Sequence, residues 1–402
     1  MRASSAILLF GLTACASSVR ATAGDAASDA PPDVAPDAPL RDCAWRVGAV
    51  RDLVGTEPAS CELVDAIPGA WVLRACVSSA GATSVYLTRI DDATGALTQR
   101  RYTLPSLSFD GLIDASLAAD PSLGRGVMVV PNATGRTLVG FDSAATFIAE
   151  RAISDRSGGF SLDAWRSPVV RADGYALLAD QVRALWGTSL AFADMNGLVT
   201  RATDLGAAPE APSTVSRFNL GGGGFALGWF AATTGPRTLV ARTYRDDGAP
   251  RGSAVTVGPL SMTSRYAIRG DADGLVAVWE GSVDTLPPLT GVAFRALAPD
   301  GRARGETAVL SSFGFYGGAL DAALAHGDVL VSAVMGSGVL RLAVLPVSRD
   351  GVARGAPLSV SMVDPVRPSR SRSRVIATAG GALVAFQRTN DVVALATLSC
   401  AP

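Results

Sequence analysis

From about residue 61 the chain alternates short apolar runs with turn-forming residues on a period near 50, the length of one four-stranded propeller blade. The clearest element is a glycine followed by an uninterrupted apolar run. It reads GAWVLRA at 69, GVMVV at 126, GYALLA at 174, GFALGW at 224, GLVAVW at 274, GDVLVSAV at 327 and GALVAF at 381, with spacings of 48 to 57 residues. Runs this short, rich in Val, Leu, Ala and aromatics, predict strands buried on both faces, and the pattern places them as the inner strands of the blades.

A second strand follows each glycine strand: SVYLTRI at 84, RTLVGFD at 136, TSLAFAD at 188, RTLVART at 237, LTGVAFRAL at 289, VLRLAVLPV at 339 and VVALATLSC at 392. A turn comes next, nearly identical in DGAPRG at 247, DGRARG at 300 and DGVARG at 350. It is looser in DDATGAL at 91 and DMNGLV at 194, and DSAATF at 142 lacks the glycine. Asp-Gly is a strong hairpin signal because glycine accepts the positive φ of a tight turn. A third strand follows, as in SAVTVGPL at 253, ETAVLS at 306 and PLSVSMV at 357. A fourth precedes each glycine strand, as in SPVVRAD at 167, SRYAIRG at 264 and SRVIATA at 373.

Four short antiparallel strands repeated radially predict an all-β fold, a β-propeller of about seven four-stranded blades. The last copy stops after its second strand at Cys400, so an upstream segment must complete it. Residues 44–51, AWRVGAVR, precede the first full unit and are the candidate for an N-terminal strand that closes the ring and removes an exposed edge. An open or two-domain β architecture built from the same repeat is the alternative.

The N-terminus has a different character. Arg2 begins a short positive region, Ala6 to Leu12 is apolar but too short to span a bilayer, and Leu12-Thr13-Ala14-Cys15 follows. This run resembles the bacterial lipobox. The resemblance implies a signal peptide over 1–14, cleavage before Cys15, and acylation of its thiol and new amino group. Several acyl chains anchor firmly where one would not. Ala16, in place of an Asp that retains lipoproteins at the inner membrane of enteric-type bacteria, implies the outer membrane. Residues 15–41 then read as the lipidated Cys and a spacer, and residues 42–402 as the propeller domain. In the spacer Asp25, Asp29, Asp33 and Asp37 recur among Ala and Pro. Pro31, Pro32, Pro36 and Pro39 exclude a helix there, and like charges with proline favour an extended, disordered tether.

Composition narrows the function. Of 402 residues 48% are hydrophobic, enough for a large core, and 43 Gly with 23 Pro suit a turn-rich fold. A net charge of −1 argues against a nucleic-acid partner. No apolar run reaches 18 residues, so no spanning helix is expected. All basic residues are Arg, which points to a GC-rich genome. Together the lipobox, acidic spacer and degenerate repeats resemble the surface lipoproteins of GC-rich myxobacteria, a resemblance of architecture that names no activity.

Candidate chemistry is sparse. His326 is the one histidine, just before a glycine strand, and reads as a turn residue; multi-His metal sites are excluded. No G-x-S-x-G elbow, CxxC pair, Walker loop or dinucleotide fingerprint occurs, and no cofactor is expected. The run Gly221 to Gly224 leads into a strand rather than a helix and reads as a flexible connection. Asp271 and Asp273 supply too few oxygens for calcium and read as a turn. Arg367, Arg370, Arg372 and Arg374 in RPSRSRSR read as a solvated loop between blades. Trp71, Trp229 and Trp279 read as core. The six Glu and scattered Asp carry no glycosidase signature.

Four cysteines remain after Cys15, and export permits disulfides in any of three connectivities. Cys61 opens CELVDAI and Cys76 closes GAWVLRAC around Pro68-Gly69; hairpin symmetry places 61 opposite 76. That leaves Cys43, at the start of the candidate closing strand, with Cys400. The expectation is a membrane-anchored, non-catalytic module binding a protein or glycan. The alternative is a propeller hydrolase or lyase acting on carbohydrate or a lactone through carboxylates. Three or more acids converging at one channel mouth would favour the enzyme, and a neutral or apolar mouth the binder.

Overall fold

The computed structural model describes residues 43–53, 59–91, 94–103, 115–132, 135–154, 166–180, 187–207, 216–220, 224–231, 238–245, 247–259, 266–271, 273–283, 289–310, 320–335, 341–362, 372–389 and 391–401. The expected signal peptide, Cys15 and spacer lie outside them, as do Gly221 to Gly223, Arg367 and Arg370.

In chain order, β1 (Ala44–Asp52) comes first. The first blade is β2 (Ala59–Ile67), β3 (Trp71–Ser78), β4 (Thr83–Ile90) and β5 (Leu97–Thr103). The second is β6 (Ser116–Asp120), β7 (Arg125–Asn132), β8 (Gly135–Asp142) and β9 (Phe147–Ala152). The third is β10 (Arg166–Arg171), β11 (Gly174–Asp180), β12 (Gly187–Asp194) and β13 (Val199–Ala207). The fourth is β14 (Ser216–Leu220), β15 (Gly224–Ala231), β16 (Thr238–Arg245) and β17 (Val255–Pro259). The fifth is β18 (Tyr266–Asp271), β19 (Gly274–Val283), β20 (Leu289–Leu297) and β21 (Ala303–Leu310). The sixth is β22 (Asp321–Ala325), β23 (Asp328–Met335), β24 (Arg341–Ser348) and β25 (Leu358–Met362). The seventh is β26 (Ser373–Thr378), β27 (Gly381–Gln387), β28 (Val393–Ala401) and, returning from the N-terminus, β1. One 3-10 turn, Pro121–Leu123, is the sole helical element among the described residues.

Every blade is an antiparallel meander, and the first strands of successive blades neighbour one another all the way round, β26 meeting β2. The ring is therefore closed, and β1 completes it by pairing antiparallel with β28, Trp45 opposite Cys400 and Asp52 opposite Ala394. Trp45 carries this closing strand into the sixth blade: its indole N–H donates to Asp328 Oδ2 at 2.8 Å, and its ring meets His326 edge-on at 5.9 Å. Cys43 is bonded to Cys400 with a Cα separation of 5.4 Å. Cys61 is bonded to Cys76, its direct cross-strand partner, at 4.1 Å.

One expectation needs correcting. The glycine strands are second from the axis, not innermost. The second strand is covered on both faces by the adjoining blades, which accounts for its unbroken apolar run, whereas the innermost strand borders the axis and carries charge. The core follows the same plan. It forms seven apolar layers, one at each blade junction, such as Val276, Val278 and Phe294 of the fifth blade against Val329, Val331 and Leu345 of the sixth.

The recurring glycine has a steric cause. Gly174, Gly274 and Gly381 open their strands at φ 152°, 135° and 149°. A Cβ on them would lie 2.1, 2.3 and 2.1 Å from the carbonyl oxygens of Ala193, Leu297 and Leu398 on the neighbouring strand, so only glycine lets the two strands meet. The Asp-Gly turns serve a second purpose, because each packs on the preceding blade. A Cβ on Gly248 would fall 2.1 Å from Phe192 Cζ, and one on Gly351 2.9 Å from Phe294 Cδ1. Where the second blade lacks the glycine, Ala145 takes the left-handed conformation instead, at φ 64°.

Arginine links the blades from outside the layers. Arg89 donates to Ser143 O, Arg125 to Arg171 O and to Ala172 O (2.9 Å), Arg201 to Asp247 O, and Arg295 to Val257 O (2.9 Å). Each guanidinium donates to a backbone carbonyl of an adjacent blade.

Candidate functional site

The innermost strands of blades five, six, seven and one carry alternating Arg and Asp side chains that join into a belt around the axis. Arg269, on β18, donates through Nη2 to Asp321 Oδ1 and through Nε to the Ala322 carbonyl at 2.7 Å. Asp321, at the start of β22 and only 2% exposed, accepts the Val375 N–H at Oδ2 (2.8 Å). Arg374, beside Val375 on β26, donates through Nε to Asp65 Oδ1 at 3.2 Å and through Nη1 to the Ser373 carbonyl at 3.1 Å. Asp65, on β2, accepts the Ala66 N–H at Oδ1 (2.9 Å) and the Leu117 N–H of the second blade at Oδ2 (3.3 Å). Arg372 donates to the Leu63 carbonyl at 3.3 Å, and Ser332 and Ser373 share a buried hydroxyl pair at 3.0 Å.

The belt crosses four junctions in sequence, from blade five to blade two. Adjacent blades are separate sheets, so at each junction a side chain supplies a hydrogen bond that no β-ladder provides. Burial alone would lower the Arg374 guanidinium, but Asp321 and Asp65 outweigh it and hold the group above the ordinary arginine range. The side chains of Arg269, Arg374 and Asp65 stay 23%, 33% and 24% exposed, so the belt presents part of each to solvent. Both carboxylates are engaged by guanidinium and backbone donors.

Gln387 extends this polar seam where blade seven meets blade one. Its amide accepts the Leu63 N–H at 2.9 Å and donates to the Cys61 carbonyl at 2.8 Å. Nearby, Ser60 bonds Asp391 at 2.5 Å and Arg388 pairs with Asp52 at 2.8 Å.

The residues singled out from the sequence fall in varied places. Arg374 is corrected from a solvated loop to the belt, because it sits on an innermost strand between two acids; Arg372 likewise bonds the next blade. Asp271 and Asp273 flank the β18–β19 turn and both face Arg349, an ion-paired turn. His326 occupies the β22–β23 turn at φ 50°. Trp71 and Trp279 are buried in junction layers and Trp229 packs partly buried against another. Among the described residues no three His, Cys, Asp or Glu side chains gather in a metal-binding group. Asp65, Arg269 and Asp321 escaped the sequence reading. Their signal was a charge on the otherwise apolar strand that precedes each glycine strand.

These features define the protein as a seven-bladed β-propeller closed by its N-terminal strand. Its fold is similar to that of a structure from a study of two prolyl endopeptidases (13% identity, TM-score 0.50), covering 84% of this chain and 47% of that one. It is also similar to the β-propeller domain of the trilobed protease from Pyrococcus furiosus, described as having an open velcro topology (10% identity, TM-score 0.50, 85% of this chain and 97% of that one). TolB from Acinetobacter baumannii is similar at 11% identity and a TM-score of 0.38, over 78% of this chain and 76% of that one. The chain thus spans 47% of the prolyl endopeptidase chain it matches. At these identities the likeness is one of fold. No protein-family model matches the sequence, and no curated protein matches it.

Proposed function

We propose that the chain is a bacterial envelope lipoprotein, held to the outer membrane through acylated Cys15, whose propeller is a non-catalytic module for binding a protein or glycan. The observation that carries the binding reading is the state of the belt. Its carboxylates, Asp65 and Asp321, are each bonded to an arginine and to a backbone N–H of the next blade, so neither stands ready as a nucleophile or general base. A hydrolase or lyase acting on carbohydrate or a lactone needs a carboxylate free to exchange a proton. The LTAC run at Leu12 to Cys15 supports the anchor.

Two experiments test the two halves. Metabolic labelling with a fatty-acid probe should mark the wild-type chain and leave Cys15→Ala unlabelled; equal label on both removes the anchor. A glycan and peptidoglycan array should show retention of an unaltered ligand. Release of a cleaved product would reverse the reading in favour of the enzyme.

A further inference from the structure

The seam between blades seven and one holds a charge that the belt does not use. Arg74 lies on β3, opposite Leu63 on one side and Tyr86 on the other, and its side chain is fully buried. It is the one arginine among the described residues with no measurable exposure. Its neighbours on the same face of the strand, Val72 and Cys76, belong to an apolar layer with Leu53, Leu63, Leu383, Ala385, Val393 and Leu395. Nη1 donates to the Leu53 carbonyl, where the chain leaves β1 for β2, and the guanidinium stands 5.4 Å from the centre of the Tyr86 ring.

Among the described residues Nε and Nη2 have no hydrogen-bond partner. These two N–H groups point the same way along one edge of the guanidinium, the edge that grips an anion through two parallel hydrogen bonds. Among the described residues no carboxylate touches it, unlike Arg269 and Arg374, which each have an aspartate. Burial lowers its pKa to about 10, the Tyr86 interaction opposing, so the group remains cationic at neutral pH. A water molecule would satisfy the two donors but leave the charge uncompensated in an apolar layer.

We propose that the Nε–Nη2 edge of Arg74 holds a buried, halide-sized anion at the junction of blades seven and one. The anion completes the hydrogen bonding of a guanidinium that already fixes Leu53, and so ties the segment leaving the closing strand to the first blade. Occupancy by such an anion then favours the closed ring over any state in which β1 has left its place.

The test uses the full-length protein and bromide. Bromide-soaked crystals should show an anomalous peak within hydrogen-bond reach of Arg74 Nε and Nη2. In solution, replacing sodium gluconate by sodium chloride at equal ionic strength should raise Tm by about 2 °C in the wild type and leave Arg74→Met unchanged. No peak at Arg74, or an equal chloride response in Arg74→Met, overturns the proposal. The soak needs no variant and decides the matter even where Arg74→Met fails to fold.

Discussion

Asp321→Ala removes the acid at the centre of the belt and tests whether the belt holds the blades together. The side chain is 2% exposed and accepts from Arg269 Nη2 and from the Val375 N–H at 2.8 Å. Alanine leaves the Val375 N–H without an acceptor inside the protein, a loss of about 1–3 kcal/mol. It also takes the carboxylate away from Arg269 Nη2, while Nε and Nη1 keep the Ala322 and Ile268 carbonyls. A fully buried pair broken this way costs about 3–5 kcal/mol, but Arg269 is 23% exposed and water can recover part of that. The sum expected is about 3 kcal/mol, and Asp321→Asn, which keeps an acceptor and loses the charge, about half as much. Urea unfolding followed by tryptophan fluorescence measures it, provided the m-value is unchanged. A loss below about 1 kcal/mol for Asp321→Ala would refute the reasoning, because neither the N–H nor the guanidinium would then have depended on the carboxylate.

Other perturbations probe separate parts of the fold. Gly351→Ala should cost about 3 kcal/mol, since the residue sits at φ 84° and a Cβ would lie 2.7 Å from that of Ala308. Gly305→Ala, at φ 76° with nothing within 4 Å, should cost about 1 kcal/mol; equal losses by thermal melting would show that the turn does not press on blade five. Trp45→Phe keeps an aromatic ring in the layer but removes the N–H given to Asp328 and leaves a small void, for an expected loss of about 2–3 kcal/mol in the same urea assay. Burial raises the phenols of Tyr175 and Tyr244, against the opposing pull of Arg125 and Arg242. The stability they contribute is therefore complete below the unfolded phenol value near pH ~10 and is lost as pH rises through the folded values. Absorbance at the phenolate band should show late titration in the folded protein, and titration coincident with the denatured chain would contradict the burial.

Much of this architecture is legible in one sequence because the repeat exposes its own geometry. The Gly174, Gly274 and Gly381 positions recur since a neighbouring carbonyl stands where a Cβ would go. The Asp-Gly turns at 247, 300 and 350 mark the third hairpins, and the missing strand of the last repeat points to residues 44–51, which pair there. The depth of the glycine strand is not legible, because burial on both faces does not distinguish an innermost strand from one sandwiched between blades. The belt residues show in the sequence only as charges on otherwise apolar strands, and their pairing is not legible there. The partners lie 52, 54 and 309 residues apart, and no local pattern records such contacts. Arg74 does leave a trace, a charge in the middle of an apolar glycine strand, though only the structure shows that no acid among the described residues stands beside it.

The Cys43–Cys400 bond governs how the domain bears a load. A pull arriving through the chain ahead of Cys43 meets β1 at its first residues, where Ala44 opposes Ala401. Without a covalent link that geometry peels: the ladder opens one hydrogen bond at a time, and each step needs little force. The disulfide stands ahead of the first ladder pair, so the tension passes from Cys43 into Cys400 and on into β28. That strand is gripped on both sides, by β1 and by β27, and drawing it out must break two ladders instead of one. The weakest edge of the ring is thereby taken out of the path of the force, and a propeller held from its N-terminal side hangs from an interior strand of its last blade.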